Sequence, residues 1–312
     1  MIRNSKRVIG AAVAALLAST AWATAKTVCY VTAADSHAYV TPANKGLNDR
    51  AAELGIEILS LSQNFDAQTG TEQMNTCIAR RADGIILWPL DPQAYIPALA
   101  RAKQANIPVV LINSPMDEAA NQFIASFTGP DVYEQGKIAA DSLNEALGGE
   151  GSVIVIAGQA GNGTTIGRTK GFTDRLAEIG SKIEVLDTVN ADFDQQKALV
   201  VSRDLITRFG DQIKGVYAND DIMARGFLDA WKETRSGQPM PPVVGIGGSR
   251  DGFAAIKAGE MAATVLQPAA EDGKLAIDTL NDVLSGKEVP SRVPLKLTTV
   301  TKENVDQLQP AF

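Results

Sequence analysis

The chain has 312 residues, 45% hydrophobic and 21% charged, with a formal net charge of −7. That supplies apolar side chain for two ordinary buried cores and excludes a disordered or fibrous chain. Aromatic residues make up only 5% and acidic residues outnumber basic ones, 36 to 29, which argues against binding nucleic acid or an anionic lipid surface.

Residues 1–25, MIRNSKRVIGAAVAALLASTAWATA, read as a signal peptide. Arg3, Lys6 and Arg7 make a basic start, and Val8 to Ser19 an apolar run too short to span a bilayer. Ala21-Trp22-Ala23 and Ala23-Thr24-Ala25 are small-residue cleavage sites. Removing the segment subtracts those three basic residues and no acidic one, taking the net charge from −7 to −10. No Cys stands at the cleavage point, so a soluble periplasmic protein without a lipid anchor is expected.

Strand and helix patterns then alternate almost throughout. Strands are predicted at 27–33, 56–61, 83–89, 107–113 and 123–127, with helices at 41–55, 67–82 and 92–106 between the first four. A second series follows, with helices at 132–148, 166–180, 194–209, 221–235, 252–260 and 270–286. Its strands are at 152–158, 182–189, 214–219, 242–248 and 261–267, and 293–300 forms a final extended stretch. Continuous Val/Ile runs separated by helices indicate parallel strands buried on both faces, an α/β doubly wound fold. Two successive series fit two lobes better than one very wide sheet.

Export places Cys29 and Cys77 in an oxidising compartment. In a sheet of order 2-1-3 the helix carrying Cys77 crosses the strand carrying Cys29, so a disulfide is one reading. Two small buried hydrophobes is the other.

The chain has one histidine, His37. That leaves no His-based metal cluster, and no Cys/His/Asp spacing suggests zinc. There is no G-x-S-x-G elbow and no phosphate loop. The glycine-rich turns GQAGNG (158–163) and GIGGS (245–249) lack dinucleotide-binding spacing and read as tight turns. No catalytic, metal or cofactor site is expected.

Ligands of such sheets bind beyond the carboxyl ends of the strands. The residues there are Ser36, His37, Tyr39, Trp88, Asn113, Ser114, Thr164, Thr165, Asp192 to Asp194, Asn219 to Asp221 and Gln267. Neutral hydrogen-bonding groups mixed with a few aromatics suit a neutral polyhydroxylated ligand.

From Thr27 to about Leu297 the chain resembles the exported sugar-binding proteins of ABC importers, ribose-binding type. The motifs are GIIL-P-D (84–91), ANIPVVLIN (105–113), GRTKGF (167–172), ADFDQQKAL (191–199), YANDDIMARG (217–226), VVGIGGSRDG (243–252) and AATVLQ (262–267). The resemblance implies two Rossmann-like lobes joined by three hinge crossings, near Ser126–Phe127, Gln267–Pro268 and Leu297–Thr298. The first lobe would then take 26–126 and 268–297, and the second 127–267 and 298–312. It also implies a monomer that closes on a small carbohydrate and delivers it to an inner-membrane ABC permease, or alternatively a sensor docking on a chemoreceptor or sensor kinase.

Position by position, the resemblance makes His37 a polar contact and places Tyr39 and Val40 on an aromatic pair. Asn113 and Ser114 replace an Asp-Arg pair, Ile166 an Arg and Gly247 an Asp. Phe193 matches an aromatic, Asp220 a polar contact and Gln267 a hinge-side Gln. Trp88 and Thr165 complete the expected ligand-binding set. Fewer charged contacts fix fewer ring hydroxyls, so a short sugar alcohol or modified sugar is expected, with an ordinary aldopentose still open.

Overall fold

The structure is a computed structural model describing residues 25–312. The signal peptide expected at 1–25 lies, but for its last residue, outside the described residues.

The first sheet is built from β1 (Thr27–Thr32), β2 (Glu57–Ser62), β3 (Gly84–Leu87), β4 (Val109–Ile112), β5 (Ser126–Gly129) and β11 (Arg292–Pro294), in the order β11-β5-β4-β3-β1-β2. The second holds β6 (Glu150–Ala157), β7 (Lys182–Asn190), β8 (Gly215–Ala218), β9 (Val243–Gly247), β10 (Ala263–Leu266) and β12 (Thr298–Thr301), in the order β12-β10-β9-β8-β6-β7. Every pairing is parallel except that of β10 with β12. The central strands are wholly buried because helices cover both faces, which is why their sequences are unbroken Val/Ile runs.

In the first lobe α1 (Val40–Glu53) and α9 (Ala269–Leu284) pack together on one face, with α2 (Ala67–Ala79) and α3 (Ile96–Gln104) on the other. In the second, α4 (Val132–Leu147) and α5 (Gly163–Glu178) cover one face, and α6 (Gln195–Phe209), α7 (Asp221–Thr234) and α8 (Arg250–Ala258) the other. Helix starts are fixed chemically: Asp66, Asp131, Asn162, Asp194, Asp220 and Ser249 each accept a backbone N–H of the first turn.

The chain passes between the lobes three times: after β5, between β10 and α9, and between β11 and β12. The first crossing lies beyond Gly129, later than the expected Ser126–Phe127. Those two residues pair with Val110 and Leu111 of β4 and so belong to the first sheet. The stretch 293–300 is two strands, one in each sheet.

Cys29 and Cys77 form a disulfide, with Cα atoms 5.7 Å apart and both residues fully buried. The bridge follows from the β2-β1-β3 order, which lays α2 over β1. Among the described residues no helix is long and apolar enough to cross a membrane, and no cluster of three or more His, Cys, Asp or Glu could hold a metal ion.

Candidate functional site

A cavity lies between the lobes, where both sheets present their strand ends. The space open to the centre of a water molecule is ≈ 60 Å³. That is room for one small molecule.

On the first-lobe side, Tyr39 precedes α1 and points its phenol inward. Its hydroxyl donates to Asp272 Oδ2 at 3.0 Å, and Asn113 Nδ2 donates to the same oxygen at 2.7 Å. Asp272 is fully buried in the first turn of α9, and its Oδ1 has no protein partner. Burial pushes the Asp272 carboxyl up to about 7 despite both donors. It also drives the Tyr39 phenol upward, reinforced by the neighbouring Asp272 charge. Trp88 meets the Tyr39 ring edge-on at 6.1 Å, so the wall is aromatic, with its polar atoms held from behind. Asn113 sits at φ 66°, a left-handed conformation that Asn tolerates and that turns the chain at the end of β4.

On the second-lobe side, Phe193 adopts φ 58° and lays its ring flat against Gly158. A Cβ on Gly158 would fall 2.1 Å from Phe193 Cζ, so the ring requires glycine there. Asp220 caps α7 by accepting Met223 N–H at 2.8 Å, and its carboxylate lines the cavity. Burial raises Asp220 to about 7, against the opposing pull of the Met223 N–H and of Arg168.

Arg168 lies deepest. Its Nε donates to Gln135 Oε1 at 2.9 Å, Nη1 to the Asn219 carbonyl at 2.7 Å and Nη2 to Gln267 Oε1 at 3.0 Å. Gln135 also donates to Gln267. The guanidinium therefore ties α5 and the β8 end to Gln267 at the second crossing. Burial lowers its pKa.

Several bonds hold the lobes together across the cavity. Ser114 Oγ and Thr164 Oγ1 are 2.9 Å apart, and Asn162 Nδ2 donates to the Leu90 carbonyl at 3.1 Å. His37 Nδ1 accepts Tyr39 N–H at 3.3 Å, which leaves the ring proton on Nε2, 3.5 Å from the Phe193 carbonyl. The imidazole thus spends both nitrogens on protein contacts and bridges the lobes, instead of pointing a free nitrogen at a ligand hydroxyl. Burial lowers its pKa, opposed by the Phe193 carbonyl and by Asp194.

The cavity brings together His37, Tyr39, Trp88, Asn113, Ser114, Phe193, Asp220, Gly247 and Gln267, with Val40 beside them. Thr165 and Ile166 do not line it. Thr165 is buried beside it, and Ile166 is 50% exposed. The reason is helical register. On α5, which starts at Gly163, three residues before the predicted start, Thr164 and Arg168, four apart, share the inward face and Ile166 turns to solvent. The guanidinium expected to be missing at 166 is thus supplied from 168. Sequence reasoning also missed Phe65, Leu90, Asn162, Ile246 and Phe312, which line the cavity. Arg168, Asn162 and Ile246 lay inside quoted stretches, GRTKGF, GQAGNG and VVGIGGSRDG, whereas Phe65 and Phe312 did not.

A family model described as a periplasmic binding protein domain matches residues 28–288. The chain belongs to the periplasmic binding protein family. Among relatives of this family member, the xylitol-binding protein of Mycolicibacterium smegmatis is 30% identical over 88% of this chain and 77% of its own. The ribose import binding protein of Escherichia coli is 29% identical over 89% of this chain and 91% of its own. An ABC transporter solute-binding protein from Mycobacterium smegmatis, solved with bound glycerol, superposes with a TM-score of 0.84. It is 27% identical and covers 93% of this chain and 99% of its own.

Proposed function

We propose that this protein is the exported capture component of an ABC importer. It closes two lobes over one neutral sugar or sugar alcohol in the periplasm and delivers it, as a monomer, to an inner-membrane permease. The observation that carries the reading is the charge pattern of the cavity. Each nitrogen of Arg168 already donates to a protein oxygen, which uses three of its five N–H groups and compensates much of its charge within the protein. The Asp220 carboxyl, ionised above about pH 7, would repel an anionic ligand there. What remains are the aromatic faces of Tyr39, Trp88, Phe65 and Phe193 and the amides and hydroxyls of Asn113, Ser114, Thr164 and Gln267. Aromatic faces cover C–H surfaces while amides and hydroxyls take hydroxyl groups, which is polyol chemistry. Relatives named for xylitol and ribose support the same class.

A non-catalytic role fits the hydroxyl partners. Ser114 pairs with Thr164, not with a base, and His37 bridges backbone groups. Export would follow from the signal peptide at 1–25. The test is mass spectrometry of the small molecule released from purified protein, paired with a thermal-shift panel of pentitols, aldopentoses, cyclitols and sugar phosphates. Stabilisation by a neutral member is expected. Stabilisation by sugar phosphates alone would sink the reading. A gene deletion that leaves uptake intact but abolishes a ligand response would favour the sensor role.

A further inference from the structure

Gly247 ends β9 at φ +133°, where the resemblance to sugar binders expects an acidic side chain. The space in front of it is filled by Phe312. A Cβ on Gly247 would come within 3.2 Å of Phe312 Cζ. The backbone that carries the ring is pinned to the second lobe: Ala311 N–H donates to the Gly248 carbonyl at 2.7 Å, and Arg250 N–H donates to the Phe312 carbonyl at 2.8 Å. The ring itself reaches the first lobe. It meets Tyr39 edge-on at 5.6 Å and packs on the core beneath α1.

Phe312 also borders two cavities. One is the interlobe cavity. The other lies on its far side and is ≈ 240 Å³ on the same measure, with Gln195, Arg225, Arg250 and Asp251 in its wall. The ring stands between an inner chamber rich in aromatic side chains and a more polar outer one.

We infer that Phe312 sets the length of ligand the site accepts, limiting it to a single sugar-sized unit. With the ring absent, the inner chamber joins the outer one, whose amide, guanidinium and carboxylate groups suit a second polyhydroxylated unit. Because its backbone rides on the second lobe, the ring swings away from Tyr39 when the lobes part and returns as they close. The inference rests on the reading of the cavity as a carbohydrate site.

The test is calorimetry on Phe312→Ala and Phe312→Leu with single-unit probes (xylitol, ribose, myo-inositol) and two-unit probes (xylobiose, maltitol). Wild type is expected to bind a single-unit probe and neither two-unit probe. Phe312→Ala is expected to lose about tenfold or more in single-unit affinity and to gain measurable two-unit binding, with Phe312→Leu between them. A Phe312→Ala protein that melts cooperatively yet keeps wild-type selectivity would overturn the inference, as would tight two-unit binding by wild type. If wild type binds no probe at all, the carbohydrate reading fails. The partition is then judged by acrylamide quenching of Trp88 fluorescence in a Trp22→Phe/Trp231→Phe background. A higher quenching constant in Phe312→Ala supports it, and an unchanged constant refutes it.

Discussion

Replacing Asp220 with Asn should stabilise the ligand-free protein and weaken ligand binding. Asn is as good a helix cap as Asp, so the bond from Met223 N–H to the start of α7 survives. What changes is a carboxylate that burial raises from 3.8 to about 7. At ~1.4 kcal/mol per pH unit, the ionised form costs the empty fold up to ~4 kcal/mol. A carboxyl whose folded pKa is raised carries this penalty in full above the folded value and sheds it as pH falls towards the unfolded one. The gain from Asn is therefore largest above pH 7 and fades towards pH 4. If half the bound is realised, ~2 kcal/mol, the melting point at pH 8 rises by about 4–8 °C.

The binding side has the opposite sign. A ligand hydroxyl donating to a carboxylate contributes ~1.5–3 kcal/mol, against ~0.5–1.5 for a neutral acceptor. The variant should lose about tenfold in affinity. Melting curves at pH 8 and pH 5 and calorimetry with the native ligand check both halves. A variant that melts no higher than wild type at pH 8, or binds as tightly, would refute the reasoning.

Three further outcomes follow from the same geometry. His37 has its pKa held below 6.5 by burial, so as pH falls below that value protonation puts a charge in the buried cleft and ends the acceptance of Tyr39 N–H by Nδ1, while Nε2–H still faces the Phe193 carbonyl. Ligand affinity should decline from pH 7 to pH 5 less steeply in His37→Ala than in wild type, and His37→Ala should cost about threefold to tenfold at neutral pH, both read by titration calorimetry. The double variant Cys29→Ala/Cys77→Ala removes a bridge spanning 48 residues and should cost about 2–4 kcal/mol in urea unfolding with ligand affinity unchanged. Gly158→Ala drives a methyl into the Phe193 ring; displacing that ring should lower affinity by about tenfold or more, whereas Ile166→Ala, on the exposed side of α5, should leave it unchanged.

The fold was legible because both physical signals were strong. Buried parallel strands produced uninterrupted Val/Ile runs, and the helices predicted from 67, 194 and 221 begin within a residue of the caps Asp66, Asp194 and Asp220. The first crossing, expected from the resemblance at Ser126–Phe127, lies later because β5 pairs with both β4 and β11 and so belongs to the first sheet. The cavity was legible where a residue directly follows a strand, as with Trp88 and Asn113. It was less so on α5, where matching the expected Arg to Ile166 fell two residues short of Arg168, which shares the inward face with Thr164. Phe312 carried no local signal, because its position depends on a tail folding back to Gly248 and Arg250 from distant sequence.

The central claim is that the lobes enclose a neutral polyhydroxylated molecule. Titration calorimetry of ligand-free protein with neutral pentitols, aldopentoses and cyclitols, alongside their phosphorylated counterparts, tests it most directly. The account predicts one-to-one binding of at least one neutral compound, with its phosphorylated form bound at least about a hundredfold more weakly, as expected when a charge is buried without a partner. Equal or tighter binding of the phosphorylated form, or no binding across the neutral set, would contradict it.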